Sequence, residues 1–174
     1  WGISLDTYNP EPEADFFMKA GIGHGFQLVF NIINQKALPV MRRAARAGMG
    51  IIARMPLQFG LLTGKFTPET RFPTDDHRHF RLTPNVLKRS LDTLKPVWDI
   101  AEKYEMSPVE FSLSYILSFP EVSTIIPGIK TPQQAVANTS GLKTIATADR
   151  EQITRLFDTE LADLLEFMRT AESR

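Results

Sequence analysis

The hydrophobic positions of this sequence fall into short apolar runs and helical patterns that alternate along the chain. The runs lie at residues 1–5, 26–30, 50–54 and 122–126. Patterns with apolar positions three or four residues apart follow them, at residues 13–20, 38–47, 85–104, 108–118, 132–140 and 149–170. Strands that alternate with helices at this spacing are typical of a parallel sheet with right-handed crossovers. The pattern therefore predicts an α/β protein.

Local signals predict where several of these helices begin and end. Ser107, Pro108 and Glu110 form a capping box, and Thr131 with Gln134 repeats the pattern directly after the fourth apolar run. We expect Gly48 to cap the second helix and Pro96 to kink or restart the third.

Charge and composition exclude several classes of protein. The 174 residues carry 20 basic and 20 acidic side chains, so no net field favours nucleic acid or an anionic membrane as a partner. There is no cysteine, which excludes disulfides, thiolate metal sites and thiol catalysis. No apolar run approaches the roughly 20 residues of a membrane span. We expect a cytoplasmic protein, and a chain that opens within a strand at Trp1 suggests truncation.

The chemistry is concentrated in residues 51–65. An apolar run ends at Pro56, and a loop containing Gly60 leads to Lys65. Such a strand delivers backbone N–H groups and a cation to the carboxyl edge of the sheet, where α/β proteins bind their ligands. A buried strand followed by an ordinary turn is the alternative interpretation.

A charged loop at residues 71–81 carries two aspartates and two histidines. His77 and His79 beside Asp75 and Asp76 could hold a metal ion, but alternate spacing in a loop favours a solvated or lid segment. Two architectures also remain open. Four strands are half of a (β/α)₈ barrel, or a small doubly wound sheet, although no G-x-G-x-x-G turn follows a strand.

The motifs resemble the C-terminal half of an aldo-keto reductase. The matching pieces are residues 1–4, Gln27 within 26–31, 53–65, and 126–134 with Asn138. The resemblance implies strands five to eight of a (β/α)₈ TIM barrel, an α/β fold. Residues 1–174 would then be the C-terminal part of one domain, with strands and helices in 1–146 and a C-terminal helix in 147–174.

The resemblance also implies a site for NADPH or NADP. Ser4 and Gln27 match residues that bond the nicotinamide carboxamide, and Arg54 stands where the family commonly stacks an aromatic ring on the nicotinamide. A loop over the pyrophosphate and an adenosine-phosphate end are matched by two further groups: Pro56, Leu57, Gly60 and Lys65, then Gly128, Ile129, Lys130, Gln134 and Asn138.

Structural alternatives stand beside these roles. Gln27 could be a satisfied core amide, Thr131 and Gln134 could serve only as caps, and Arg54 could form a salt bridge across the barrel mouth. Leu5 and Ala137 depart from the family pattern, where Asn and an acidic residue often stand.

No catalytic residue can be named in this chain. The family's Asp, Tyr, Lys and His tetrad lies in the first half of the barrel, and Tyr8, Tyr104, Tyr115 and His24 stand elsewhere. The resemblance implies an NAD(P)H-dependent oxidoreductase that reduces aldehydes or ketones, seen as its cofactor half without a metal. Its partners would be a small carbonyl substrate and the missing N-terminal half-barrel. A non-enzymatic nucleotide-binding relative, as in channel-associated subunits, is the alternative.

Overall fold

The computed structural model describes residues 1–172, which form one parallel sheet covered by helices on one side. The strands are β1 (Ile3–Ser4), β2 (Gly25–Val29), β3 (Gly50–Arg54) and β4 (Thr124–Ile126), and they pair in sequence order. The helices are α1 (Glu11–Ala20), α2 (Leu38–Arg46), α3 (Arg78–Arg81), α4 (Pro84–Thr93), α5 (Lys95–Ala101), α6 (Pro108–Leu117), α7 (Pro132–Thr139), α8 (Thr147–Leu156) and α9 (Ala162–Glu172). Short 3₁₀ segments lie at Gln58–Thr63 and Glu102–Tyr104.

Local capping rules predicted two helix starts correctly. At α6, Ser107 Oγ accepts from the N–H of Glu110, whose carboxylate accepts in return from the N–H of Ser107 at 2.8 Å. At α7, Thr131 Oγ1 accepts from the N–H of Gln134 at 3.2 Å. The cap of helix α2 is Ala47 and not Gly48 as predicted, because the helix already ends at Arg46. Gly48, with φ of 74°, is the next residue after the cap.

Two predicted long helices are divided. The pattern at residues 85–104 separates into α4 and α5 at Leu94, so that Pro96 sits in the first turn of α5, where its missing N–H costs no helical bond. The last helix passes through a π-helical turn at Phe157–Leu161 between α8 and α9. The extra residue in that turn rotates the apolar face of α9 relative to that of α8.

The two faces of the sheet differ in composition and in exposure. On the helix-covered face, Leu28, Ile51 and Ala53 are fully buried. The other face carries Ile52, whose neighbours at the same register are Gln27 and Thr124. Ile52 is 37% exposed there. Parallel sheets are ordinarily covered on both faces, so this open face is the one that a closed barrel would turn inward.

Exposed apolar side chains mark both edges of the sheet. Beside β1, Trp1 and Phe16 are each 65% exposed, and both rings pack edge-on against Phe17. Beside β4, Ile126 and Val136 are 45% and 65% exposed. Large exposed apolar groups gathered in this way are typical of interaction surfaces or ligand-binding grooves.

Candidate functional site

A cleft of about 910 Å³ lies at the carboxyl edge of the sheet. Three segments line it: the loop after β3 from Met55 to Gly60, the segment Pro73–Arg78, and the connection from β4 into α7. We call the second of these segments, extended to Arg81, the strap. The carboxyl edge is where ligands bind in parallel α/β proteins, so the cleft is the candidate ligand site.

Half of the predicted binding residues line this cleft. They are Pro56, Leu57, Gly60, Gly128, Lys130 and Gln134. Two others, Ser4 and Gln27, lie on the open face of the sheet and line a separate depression of about 460 Å³. Ser4 Oγ donates to Gln27 Oε1 at 3.2 Å, and no described residue bonds the amide nitrogen of Gln27. Gln27 is therefore only half satisfied, and its N–H₂ donors can serve a ligand on this face.

The loop after β3 has an unusual backbone. Met55, Gln58 and Phe59 have φ values of 55°, 42° and 56°, in the left-handed region that L-residues rarely occupy. Such conformations cost on the order of 1–3 kcal/mol each and persist only where the surroundings enforce them. Gly60, with φ of 97°, completes the turn without that cost, although a Cβ there would lie 2.9 Å from the ring of Phe66. Strain concentrated in one wall of a cleft points to a functional loop.

Backbone groups just before α7 are held by side chains of that helix. The N–H of Lys130 donates to Gln134 Oε1 at 2.6 Å, and Asn138 Nδ2 donates to the carbonyl of Gly128 at 3.5 Å. Thr131 and Gln134 therefore do make capping hydrogen bonds, and Gln134 also lines the cleft. Asn138 is 7% exposed and fixes the loop from behind. The side chain of Lys130 is exposed, with no carboxylate within 4 Å among residues 1–172.

Arg54 bonds neutral groups rather than a carboxylate. Its Nη2 donates to the carbonyl of Leu5 and to Thr7 Oγ1, each at 3.2 Å. Within the described chain it forms no ion pair, so the salt bridge considered as an alternative role is not found. Its Nε is buried without a hydrogen-bond partner. The guanidinium is thus fixed across the carboxyl end of β2, between the end of β3 and the segment that follows β1.

Lys65 and Ile129 are exposed and lie outside the walls of the cleft. Lys65 follows Gly64, whose φ of 70° turns the chain at the end of the 3₁₀ segment. Ile129 is 55% exposed beside Lys130. Their predicted contacts with a cofactor stay predictions.

The strap is anchored to the loop after β3 through aromatic contacts. The guanidinium of Arg81 lies 5.3 Å from the ring centroid of Phe59, and the ring of His77 meets Phe59 edge-on at 5.6 Å. Within the strap, Arg78 Nε donates to both carboxylate oxygens of Asp76 at 3.0 Å. The pKa of Asp76 is held far below its usual range by these bonds from Arg78. No group of three metal-ligating side chains occurs among residues 1–172.

The Asp76–Arg78 pair gives the strap a defined response to acid. Because the folded pKa of Asp76 is depressed, its stabilising effect is complete above the ordinary aspartate pKa of about 3.9 and is lost only as pH falls below it. We expect hydrogen exchange of the strap to be unchanged from pH 7 to pH 5, after correction for intrinsic rates. Asp76→Asn should loosen the strap at all these pH values, by a few-fold, and Asp75→Asn is the matched control. Equal exchange in both variants would contradict the role of the pair.

The tyrosines and His24 have structural surroundings. Tyr115 is fully buried between Phe30 and Phe119, and burial raises the pKa of its hydroxyl. Tyr104 Oη donates to Asp149 at 2.7 Å. His24 Nδ1 lies 2.8 Å from the amino terminus, at the opposite end of the sheet from the cleft. None of these three lines the cleft.

Sequence reasoning missed the buried amides that follow β2 and β3. Asn31, Asn34, Gln35 and Gln58 are each at most 3% exposed, and three of them stand together in the sequence Asn31-Ile32-Ile33-Asn34-Gln35. The available signal was this group of polar residues, Asn31, Asn34 and Gln35, close after a buried strand. Asn31 and Gln58 bond each other across the cleft wall at 2.8 Å.

Comparison with known proteins places this architecture in a family. The sequence model of the aldo/keto reductase family matches residues 25–158, and the chain belongs to that family. A relative from Schizosaccharomyces pombe, named as a probable pyridoxal reductase, is 28% identical over 132 residues, 68% of this chain and 38% of its own length. A rice protein named as a probable voltage-gated potassium channel β subunit is 30% identical over 114 residues, 63% of this chain and 34% of its own.

Solved structures show the same fold. The glycerol dehydrogenase of Gluconobacter oxydans superimposes with a TM-score of 0.73 at 21% identity, over 89% of this chain and 47% of that one. An aldo-keto reductase from Bacillus halodurans gives a TM-score of 0.65. The sheet is therefore part of a (β/α)₈ barrel, as predicted, and the doubly wound alternative was wrong. The chain spans roughly a third of the length of the first curated relatives and about half of the length of the solved chains.

Proposed function

We propose that this chain is the cofactor-binding half of an NAD(P)H-dependent aldo-keto reductase that reduces aldehydes or ketones. The observation that carries the proposal is the cleft at the carboxyl edge, where the loop after β3 meets the start of α7. Segments 72 residues apart in sequence, Pro56 and Gly128, supply its opposite walls. The walls of this cleft carry backbone and side-chain groups that suit a dinucleotide.

The residues at the open face suit the nicotinamide end of such a cofactor. A carboxamide presents one acceptor and two donors, and the half-satisfied amide of Gln27 beside Ser4 can meet these groups. Arg54 lies on the same face of the sheet, two residues beyond Ile52, which is the register partner of Gln27. The bound dinucleotide would supply the hydride for carbonyl reduction, while these side chains orient the ring.

The residues at α7 suit the phosphate end. Lys130 offers a cation beside the first turn of the helix, and a Cβ added at Gly128 would meet no atom within 4 Å. Gly128 thus leaves room for close approach, and Lys130 adds the charge that phosphate needs.

The open sheet supports a further part of the proposal, the N-terminal half-barrel as partner. In the described residues β1 and β4 each have only one neighbouring strand, and both edges carry exposed apolar groups. Four more parallel strands would pair both edges and cover Ile52. We propose that this half also supplies the catalytic tetrad and that the protein acts in the cytoplasm on a small carbonyl compound. Among residues 1–172, no helix has the length and apolar character needed to cross a membrane.

A non-enzymatic nucleotide-binding subunit is the second candidate. Its support is the similarity to the rice protein named as a potassium channel β subunit and to a second such protein from Schizosaccharomyces pombe. Both functions use the same cleft. Carbonyl-dependent turnover by the completed barrel distinguishes them, because a regulatory subunit would bind NADPH without that turnover.

Lys130 should decide between the two nicotinamide cofactors. In the completed barrel, Lys130→Ala is expected to weaken NADPH binding about tenfold, the effect of losing roughly one charge-assisted contact, and to leave NADH binding within twofold. Fluorescence titration with each cofactor measures this difference. Lys65→Ala is the matched variant, and it should weaken both cofactors alike because a pyrophosphate is common to both. Equal losses in Lys130→Ala would show that Lys130 does not recognise the 2′-phosphate.

A further inference from the structure

Asn31 lies two residues after the end of β2 and is completely buried, and both polar atoms of its side chain are hydrogen-bonded. Its Oδ1 accepts from the N–H groups of Ile33 and Asn34, both at 2.9 Å, and so closes a local turn. Its Nδ2 donates to the carbonyl of Met55 at 2.9 Å and to Gln58 Oε1 at 2.8 Å. One amide therefore joins the end of β2 to the loop that follows β3.

Both acceptors of the Asn31 amide nitrogen belong to residues with a strained backbone. Met55 and Gln58 each have positive φ, and both line the cleft, although Gln58 is only 3% exposed. A left-handed residue relaxes unless something enforces it. Within the described chain, the two donor bonds from Asn31 are the side-chain hydrogen bonds that reach these two residues from the segment after β2.

We infer that Asn31 is a positioning residue that holds the Met55–Gly60 loop in the conformation that walls the cleft. It thereby sets the affinity of the cleft for its ligand without touching that ligand. The inference rests on the proposed function for the identity of the ligand. It does not depend on that function for the loop geometry.

The chemistry of Asn31 allows the cross-link to be removed while the local turn is kept. Asn31→Asp retains an oxygen acceptor for the N–H groups of Ile33 and Asn34 but cannot donate to Met55 or Gln58. Asn31→Ser also keeps an oxygen acceptor, but its side chain is too short to donate to both Met55 and Gln58. This variant adds no buried charge. The two variants together separate loss of the cross-link from burial of a carboxylate.

Asn34 provides a matched control in the same segment. It is equally buried, its Oδ1 accepts from the N–H of Lys36 at 3.2 Å, and its Nδ2 donates to the carbonyl of Thr7 at 3.0 Å. Asn34→Asp and Asn34→Ser therefore remove one partly buried donor bond, where the Asn31 variants remove two. That bond leads to the carbonyl of Thr7 after β1 and not to the cleft wall, and it does not involve the Thr7 hydroxyl that accepts from Arg54.

The experiment measures amide hydrogen exchange at residues 57–62 and NADPH affinity in the completed barrel, with denaturant midpoints for every variant. We expect both Asn31 variants to accelerate exchange at these residues about tenfold and to weaken NADPH binding about tenfold. The Asn34 variants, at equal loss of stability, should change either quantity by no more than twofold. Losses that track the denaturant midpoint equally at both positions would overturn the inference, as would unchanged exchange in the Asn31 variants.

The two proposals fail in different ways. If the wild-type barrel binds no NADPH while the Asn31 variants still loosen residues 57–62 selectively, the proposed cofactor function is wrong and the positioning role of Asn31 stands. If the wild type binds NADPH and the Asn31 variants bind it equally well, the positioning role is wrong and the cofactor function stands.

Discussion

The described chain on its own is expected to catalyse no carbonyl-dependent oxidation of NADPH. Tyr104 is bonded to Asp149, Tyr115 is buried, and no described tyrosine lines the cleft, so we propose that the proton donor lies in the other half-barrel. Loss of general acid catalysis alone costs roughly 10²–10⁴-fold, and a cleft without its facing wall loses substrate positioning as well. We therefore expect a rate at least about 10⁴-fold below that of the completed barrel, measured as the loss of NADPH absorbance with an aldehyde substrate.

The same open sheet predicts poor folding of the isolated chain. Unpaired strand edges and the exposed side chains of Trp1, Phe16 and Val136 favour association with other chains. Co-production with the half that supplies the remaining four strands is the control, and it should yield a cooperatively unfolding complex. Cooperative unfolding of a monomeric isolated chain would contradict this expectation. So would NADPH oxidation by the chain alone, or a stable dimer in which a second copy closes the barrel.

Local rules predicted the parts of this fold whose physics is local. The capping box at Ser107 and the N-cap hydrogen bond at Thr131 need only residues within one turn, and both were confirmed. The bounds of β3 also follow directly from an apolar run ended by Pro56. The π-helical turn at Phe157–Leu161 was missed because it adjusts the register of α9 against α4, which is a tertiary requirement.

The candidate site divides along the same line. The motif around Pro56 and Gly60 indicated a loop, but its strained backbone depends on Asn31, which lies 24 residues before Met55. A pairing that crosses two strands leaves no periodic signal in the sequence. The strap shows the same limit, because its charge density suggested a solvated segment or a lid, while its contacts with Phe59 come from the folded arrangement.

Arg54 is expected to set the preference of the site for the reduced cofactor. Its guanidinium is held by Leu5 and Thr7, two neutral acceptors, so its positive charge is not cancelled by a bonded carboxylate. Asp6, the nearest acid in sequence to these partners, has a pKa lowered mainly by backbone N–H groups of Tyr8 and Asn9, with Arg54 contributing least. An uncancelled cation on the open face disfavours the positively charged oxidised nicotinamide and leaves the neutral reduced ring unaffected.

The size of this effect follows from the electrostatics of a partly exposed site. Two unit charges roughly 7 Å apart, at an effective dielectric constant of about 20, interact by about 2 kcal/mol, which corresponds to roughly thirtyfold in affinity. In the completed barrel, Arg54→Met should therefore narrow the ratio of NADPH to NADP⁺ affinity by about thirtyfold. Arg54→Lys, which keeps the charge but loses the planar fork, should preserve the ratio within about threefold while weakening both forms. Calorimetric titration of both cofactor forms with all three proteins measures these ratios. Equal ratios in all three would mean that Arg54 only joins the ends of β1 and β3 and does not act on the nicotinamide.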